Sequence, residues 1–203
     1  LCVNVLGNSN NFSKINEIIK NKNIFIIEDS CEAMGAKFGD LNVGNFGLMS
    51  SFSSYFSHHI STIEGGMITT NNKELYHILL CLRAHGWTRD LPNKNLVLKK
   101  SKNKFNEMYN FILPGYNLRP TEINGVAGIE QLKKFRKFLN IRRENAALFV
   151  KLFKNHKAIR IQKEIEKSSW FAFSFIVKNN SKENLKKLIK ILEMLKIEYR
   201  PII

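Results

Sequence analysis

Two adjacent histidines, His58 and His59, are the residues of this sequence whose types and position most clearly allow chemistry. They lie in the stretch SSYFSHHISTIEGGMITT, between a run of serines and aromatic residues and a Glu-Gly-Gly turn. An imidazole can remove or return a proton near neutral pH, so a catalytic base is one reading. Metal ligands and purely structural histidines are the alternatives. Adjacent histidines seldom bind one metal ion and no third ligand lies nearby, so we expect no metal site.

A carboxylate at the end of a predicted strand is the second candidate. Asp29 follows the apolar residues 24–27 and Glu28. A buried carboxylate needs a cationic partner, and a protonated ring nitrogen would supply one. A helix cap or a turn is the alternative role. Hydroxyls at the end of a neighbouring predicted strand could bind phosphate oxygens or could simply be tolerated there: Ser50, Ser51, Ser53 and Ser54.

The segment His85-Gly86-Trp87-Thr88-Arg89 brings an imidazole, an indole and a guanidinium into one predicted loop. Arginine and histidine near a cleft suit an anionic or hydroxyl-rich substrate. An ordinary surface loop is the alternative interpretation. By itself this segment does not decide the function.

The elements that position these residues begin with a strand, a helix and a second strand. Apolar runs predict strands over residues 1–6 and 24–27, and helical spacing of apolar residues predicts a helix over residues 12–20. Short connections between them indicate a βαβ unit and a parallel sheet. Ligands bind at the carboxyl ends of the strands in such sheets, which is where Asp29 is expected.

Further patterns extend this α/β reading along the chain. Strands are predicted over 49–55 and 66–70, a helix over 73–83 and a long loop over 87–115. A helix is expected to begin near Pro120-Thr121 and to reach His156, followed by a strand over 171–177, a helix over 185–195 and a strand over 197–203. We expect residues 1–119 to belong to a large domain, residues 120–203 to belong to a smaller α+β domain, and the sequence to be a piece of a longer chain.

Composition limits the possible classes of protein. The sequence has 203 residues, 44% of them hydrophobic, and no run long enough to span a membrane. The three cysteines are far apart, which indicates a reducing cytoplasm rather than a disulfide framework. The net charge of +15 is spread over helix-like stretches without interleaved aromatic residues, so we expect solvated lysine faces and no nucleic-acid partner.

The order of four segments carries a resemblance to a known family. The segments are IIEDSCEAMGA, SSYFSHHISTIEGG, LRAHGWTRDL and LPGYNLRPTEINGVAGIEQLKKF. In this order they resemble the DegT/DnrJ/EryC1/StrS sugar aminotransferases, which use pyridoxal 5′-phosphate, and the resemblance covers nearly the whole chain. It implies the aspartate aminotransferase-like fold, fold type I, with a mainly parallel sheet, helices and part of a smaller C-terminal domain.

The resemblance also implies a set of cofactor contacts. Asp29 would pair with the pyridine nitrogen, Glu32 would lie against the ring, and Ser53 would hold the phosphate. Asn117 would reach the phosphate of the neighbouring subunit's cofactor, with Arg119 beside it, which implies a homodimer with a shared site. For the substrate, the candidates for sugar or carboxylate contacts are His85, Arg89 and Arg119.

The sequence departs from the family at one position. Six residues before Glu64 the usual aminotransferases carry the lysine that forms a Schiff base with the cofactor, and this chain has His58 there. An imidazole cannot form a stable imine with the aldehyde. The resemblance therefore implies a cofactor held without a covalent bond, which works as pyridoxamine 5′-phosphate. Within the family, histidine at this position marks the 3-dehydratases that lead to 3,6-dideoxy sugars such as the colitose of lipopolysaccharide O-antigens.

The implied reaction is deoxygenation at C3 of a nucleotide-linked 4-keto-6-deoxy sugar, with a GDP-linked sugar as the expected substrate and L-glutamate as the amino donor. His58 would be the base and would protonate the departing hydroxyl. An iron–sulfur cluster is not expected, because no cysteine follows Cys81. The alternatives are an ordinary nucleotide-sugar aminotransferase and a degenerate homologue without catalytic activity.

Overall fold

The structure is a computed structural model that describes residues 1–202, apart from the side chain of Asn180. The chain begins with a strand, which is followed by a helix. In chain order the helices and strands are β1 (Cys2–Val3), α1 (Phe12–Ile19), β2 (Ile27–Asp29), β3 (Lys37–Phe38), β4 (Leu41–Asn42), β5 (Met49–Ser53), β6 (Gly66–Thr69), α2 (Lys73–Leu82), α3 (Lys104–Met108), α4 (Glu122–Phe153), β7 (Ile159–Ile161), β8 (Phe175–Val177) and α5 (Lys182–Met194).

A four-stranded sheet with the order β1-β2-β5-β6 forms the framework of the site. β2 pairs in parallel with both β1 and β5, while β6 runs antiparallel to β5. The predicted βαβ unit is therefore confirmed. Asp29 pairs with Val3 on one side and with Ser51 on the other, so its carboxylate belongs to the carboxyl end of the parallel strands.

The first two predicted strands are shorter than expected. β2 begins at Ile27, and Ile24 and Phe25 remain 52% and 70% exposed instead of forming a buried strand. β1 ends at Val3 because the chain then turns through a short 3-10 segment, Val5–Gly7. Gly7 has a φ of +82°, and a Cβ there would lie 2.7 Å from the Oγ of Ser169, so no other residue fits this turn.

The second half of the chain is organised by the helix α4. Thr121 caps its start, and the Oδ1 of Asn124 accepts a hydrogen bond from the Thr121 N–H at 2.9 Å. The helix has 32 residues and ends at Phe153, before the expected His156. The chain leaves the helix in a turn in which the N–H of His156 donates to the carbonyl of Phe153 at 3.0 Å.

Three other predictions need correction. The loop predicted over 87–115 contains the short helix α3, which is capped by the side chain of Asn103. The strand predicted over 171–177 shrinks to β8, because only β8 pairs with the unpredicted strand β7. The strand predicted over 197–203 is wrong for residues 197–202, which have no strand partner among the described residues, and Ile203 lies outside the description.

Two clusters of buried side chains stabilise the fold. One is Phe12, Ala33, Ala36 and Val43, onto which Phe38 and Phe46 pack. The other is Ala146, Phe149 and Trp170, onto which Phe153 and Phe175 pack. The first cluster draws on residues before 120 and the second on residues after it, while the domain division at residue 120 stays a prediction. Within residues 1–202, none of the helices has the length and apolar character needed to cross a bilayer.

Candidate active site

Alternation along β2 sends two neighbouring carboxylates to different surroundings. Glu28 is fully buried and accepts backbone N–H groups of Gly44 at 2.7 Å, Phe46 at 2.7 Å and Gly47 at 2.8 Å. The side chain of Asn4 donates a further bond at 3.3 Å. Glu28 thus anchors the loop before β5, a role that sequence reasoning missed. The signal was present as the apolar–acid–acid end of the strand, but it does not tell which acid faces inward.

Asp29 faces the cleft at the end of the sheet. Its Oδ1 accepts hydrogen bonds from the Cys31 N–H at 3.1 Å and from the Ser51 hydroxyl at 3.3 Å. Partial burial by itself would raise the pKa of Asp29. The bonds from Cys31 and Ser51, together with the nearby charge of His58, outweigh this and hold the pKa below its usual value. Asp29 is therefore an anion at neutral pH.

One cleft, with a volume of about 280 Å³, brings together three of the residues singled out from the sequence: Asp29, Glu32 and His58. Its other walls come from the turn after β1 and from Cys31. The Oε2 of Glu32 accepts the N–H of Leu6 at 2.7 Å, which fixes the Glu32 side chain against this turn. The imidazole and the carboxylate of Asp29 thus share one cavity.

His58 is half-buried and lies in a turn in which its backbone N–H donates to the carbonyl of Tyr55 at 2.9 Å. Its Nδ1 is shielded from solvent and has no hydrogen-bond partner in the described part of the chain. Aromatic rings flank it instead, with ring centroids 5.2 Å away for Phe171 and 6.0 Å away for Tyr55. The ring is therefore held by packing rather than by a hydrogen bond of its Nδ1.

His59 turns away into a second cavity of about 390 Å³, which His58 also borders. Both ring nitrogens of His59 lack a partner among residues 1–202. Burial lowers the pKa of His59 to about 4, and the positive charge of Arg142 contributes to this shift. The backbone of Ser169 lies close enough to oppose the shift, but it does not reach hydrogen-bond geometry. His59 therefore stays neutral at physiological pH, and only His58 of the pair faces the carboxylate.

The serine run and the Glu-Gly-Gly turn shape the loop that carries the histidines. Ser53 ends β5 opposite Gly66, and its Oγ accepts the Tyr55 N–H at 3.2 Å. Ser53 is half-buried and does not line the cleft. Across the loop, the Nδ2 of Asn124 in α4 donates to the carbonyl of Thr62 at 2.5 Å, which ties the loop to the long helix.

The structure brings a second group of predicted residues together elsewhere. Ala84 and Asn117 form an isolated β-bridge, and the N–H of His85 donates to the carbonyl of Tyr116 at 2.8 Å. His85 and Asn117 are both exposed. Neither lines the cleft that contains His58.

Arg89 and Arg119 are also exposed and lie outside that cleft. The guanidinium of Arg89 lies over the ring of Trp87, 5.0 Å from its centroid. The structure therefore separates the sequence-predicted residues into a cleft group (Asp29, Glu32 and His58) and an exposed group (His85, Arg89, Asn117 and Arg119).

Sequence reasoning missed two arginines of α4. The Nη1 of Arg142 donates to the carbonyls of Trp170 at 3.2 Å and Phe171 at 2.9 Å. Arg143 donates from Nε to the carbonyl of Ser168 at 3.1 Å and from Nη2 to that of Gly35 at 2.9 Å. The signal that could have found them is a pair of arginines interrupting the apolar stripe of a long helix.

Comparison with known proteins places this architecture in a family. Residues 1–203 match the DegT/DnrJ/EryC1/StrS aminotransferase family. The chain belongs to this family. It is 53% identical over 204 aligned residues to the GDP-4-keto-6-deoxy-D-mannose 3-dehydratase of Escherichia coli O55:H7, an alignment that covers 100% of this chain and 53% of the relative. The chain spans about half the length of the curated relatives it matches.

Solved structures of family members agree with the fold. The chain is similar to the E. coli GDP-4-keto-6-deoxy-D-mannose-3-dehydratase with bound hydrated PLP, with a TM-score of 0.94 at 53% identity over 98% of this chain and 52% of that one. An enzyme of the same name with a trapped PLP-glutamate geminal diamine gives a TM-score of 0.94 at 53% identity over 98% of this chain and 52% of the other. The expected family and the aspartate aminotransferase-like fold are therefore confirmed.

Proposed function

We propose that the protein is a pyridoxal/pyridoxamine 5′-phosphate-dependent 3-dehydratase that removes the 3-hydroxyl of GDP-4-keto-6-deoxy-D-mannose, with L-glutamate as the amino donor. One observation carries the proposal: the imidazole at the family's lysine position, His58, shares a cleft with the anionic carboxylate of Asp29. The relatives at 53% identity bear the name of this enzyme, and one of them holds an adduct of PLP and glutamate, which supports both the sugar and the donor.

The cleft residues fit the cofactor chemically. A carboxylate that its hydrogen bonds keep ionised suits a protonated pyridine nitrogen, which is the role proposed for Asp29. The imidazole of His58 lines the same cleft, so it can exchange a proton with a group bound there. Glu32 would lie against the ring and Ser53 would hold the phosphate. When bound, the cofactor supplies an electron sink for the reaction.

The work of the protein in this proposal is proton transfer by His58. An imidazole takes up and returns protons near neutral pH, and it cannot tether an aldehyde as a lysine does. His58 would remove a proton from the amine-bearing carbon of the bound cofactor and would give a proton to the 3-hydroxyl of the sugar, which leaves as water. Because His59 stays neutral, it adds no positive charge beside His58 that would oppose proton uptake.

The overall reaction balances without an external oxidant or reductant. Oxidation of glutamate to 2-oxoglutarate and ammonia consumes one water and releases two electrons and two protons. Replacement of the C–OH bond at C3 by C–H takes up the same electrons and protons and releases one water. The products are 2-oxoglutarate, ammonia and the 4-keto-3,6-dideoxy sugar, in equal amounts.

The proposal also assigns a role to the exposed residues His85, Arg89, Asn117 and Arg119, which would form part of a surface shared between the two subunits of a homodimer. Asn117 would reach the cofactor phosphate of the neighbouring subunit, and its exposure in a single chain fits that role. Arg119, His85 and Arg89 would contact the sugar nucleotide or a carboxylate, because guanidinium groups bind phosphate and carboxylate oxygens well. A cytoplasmic location, where nucleotide sugars are made, belongs to the same proposal.

Product analysis tests this function. The complete protein is incubated with PLP, glutamate and GDP-4-keto-6-deoxy-D-mannose, and ammonia, 2-oxoglutarate and the sugar products are quantified. Ammonia equal to the deoxygenated sugar supports the dehydratase. A 4-amino sugar formed without ammonia would instead identify an aminotransferase, and the absence of any product would identify a degenerate homologue.

A further inference from the structure

The ring of His58 lacks the hydrogen bond that usually fixes a working imidazole. Catalytic and metal-binding histidines are commonly oriented by a carboxylate or carbonyl on the second ring nitrogen. The Nδ1 of His58 has no such partner in the described chain. Its ring packs instead on Phe171, with the centroids 5.2 Å apart and the planes tilted by 42°. Something other than a hydrogen bond must therefore set the direction of the imidazole.

Phe171 is itself anchored on two sides. Its N–H donates to the carbonyl of Leu6 at 3.1 Å. The N–H of the same Leu6 donates to the side chain of Glu32, which lines the cleft. Its carbonyl accepts the Nη1 of Arg142 at 2.9 Å, and the guanidinium lies 5.9 Å from the centre of its ring. Phe171 is thus tied both to the cleft wall and to the long helix.

Arg142 is hydrogen-bonded to a stretch of backbone, Trp170 and Phe171, that has an uncommon conformation. Trp170, the residue before Phe171, has a φ of +49°, which bulky residues adopt rarely. This conformation lets one guanidinium nitrogen reach the carbonyls of both Trp170 and Phe171. Arg142 is half-buried and projects from the middle of α4, so the anchor belongs to a regular, rigid element.

We propose that Phe171 is a positioning residue that orients the imidazole of His58, and that Arg142 acts through Phe171. The proposal rests on the proposed function, in which His58 is the base. Phe171 lines neither the cleft with Asp29 nor the neighbouring cavity, so it does not bind substrate directly. Its ring also packs on His59, with centroids 5.5 Å apart, but only His58 of the two histidines lines the cleft with Asp29, so the effect on turnover goes through His58.

Replacement of Phe171 by leucine tests the first part. Because a reacting group displaced by about 1 Å can cost up to about a hundredfold in rate, we expect kcat of the complete protein to fall about tenfold. The KM for the sugar nucleotide stays within about twofold, since the cleft walls are unchanged. If the leucine variant does not fold, Phe171→Met, whose flexible side chain adapts better to the space of the ring, carries the same prediction.

Phe173→Leu is the matched control. Phe173 lies two residues further on and stacks on Phe149 with ring centroids 4.8 Å apart. The substitution removes the same ring from the same segment, but this ring makes no aromatic contact with His58 among the described residues. We expect a loss of stability with kcat unchanged, and an equal fall of kcat in both variants would overturn the proposal.

The two arginines test the second part. Arg142→Gln should reproduce the kcat loss of Phe171→Leu. Arg143→Gln removes an equally charged anchor of the same segment, at Ser168 and Gly35, and should leave kcat unchanged. If Arg143→Gln lowers kcat as much as Arg142→Gln, the effect comes from general loosening of the segment and the proposal is wrong.

NMR of the His58 ring gives a readout that does not need activity. With the histidines isotope-labelled, the wild type should show one sharp His58 ring resonance, and Phe171→Leu should broaden or split it while Phe173→Leu does not. A sharp, unshifted resonance in Phe171→Leu overturns the positioning role. If the wild type shows one sharp His58 resonance, and this resonance broadens in Phe171→Leu, but the protein makes no deoxygenated sugar, the proposed function fails and the positioning of the ring stands.

Discussion

His58 and Asp29 line the same cleft, although 28 residues lie between them in the sequence. The charge of the imidazole is one of the influences that keep the pKa of Asp29 low. A base and a permanent anion thus face one cavity at the carboxyl end of a parallel sheet. The sheet pairing fixes Asp29, and the loop tied to α4 by Asn124 fixes His58.

Removal of the negative charge of Asp29 should weaken cofactor binding. Hydrogen bonds and ion pairs to charged groups contribute about 1.5–3 kcal/mol each, so Asp29→Asn should lower PLP affinity at least about tenfold. Absorbance titration of the complete protein with PLP measures the change. Asp40→Asn is the control, because Asp40 is an exposed acid in the turn between β3 and β4. An unchanged affinity in Asp29→Asn would refute the assigned partnership.

Acid should destabilise the protein through His59 before it affects most carboxylates. The folded protein holds the pKa of His59 at about 4, against 6.5 for an unperturbed histidine. Between these values the unfolded chain binds more protons than the folded one, so the free energy of unfolding falls as the pH drops from about 6.5 to about 4. At about 1.4 kcal/mol per pKa unit, the loss amounts to about 3 kcal/mol.

His59→Phe tests this pH dependence. Since both ring nitrogens lack partners in the described chain, the substitution removes no hydrogen bond and should leave stability at pH 7 unchanged or raised. Urea denaturation at several pH values should then give a flatter profile between pH 4 and 6.5. His85→Gln, at an exposed position whose ring makes no hydrogen bond within the described residues, should keep the wild-type slope. An equally steep profile in His59→Phe would rule out His59 as the cause.

Glu28→Gln should destabilise the fold strongly. The carboxylate accepts three backbone N–H groups of the loop before β5. In glutamine, the NH2 end of the side-chain amide is itself a donor and cannot accept these N–H groups. Lost charged hydrogen bonds and unsatisfied buried donors together suggest a cost of about 3 kcal/mol. Urea denaturation measures it, with Glu17→Gln on the exposed side of α1 as the control. A cost below about 1 kcal/mol, the usual net value of one neutral hydrogen bond, would show that the loop does not depend on this anion.

The sequence was informative where the pattern is local. The apolar run before Asp29 predicted a strand end, and the resemblance to the family gave the offset from the Glu-Gly-Gly turn its meaning and so singled out His58. Ile24 and Phe25 misled because they are apolar yet exposed. Burial depends on which surfaces meet in three dimensions, and a hydrophobic residue alone does not specify that.

Contacts between distant segments could not be predicted in this way. Arg142 reaches Phe171 across 29 residues, through a backbone turn at Trp170 that only the folded chain defines. The pairing of β7 with β8 is similarly non-local, and their three-residue lengths give too little periodicity to detect. The inward direction of Glu28 follows from strand register, and a shift by one residue would have exchanged it with Asp29.

The exchange of His58 for lysine tests the central claim most directly. In the complete protein, His58→Lys should produce the absorbance of a Schiff base with PLP and should abolish release of ammonia and deoxygenated sugar from glutamate and GDP-4-keto-6-deoxy-D-mannose. A variant that forms the deoxygenated sugar at the wild-type rate would contradict the assignment of His58 as the base.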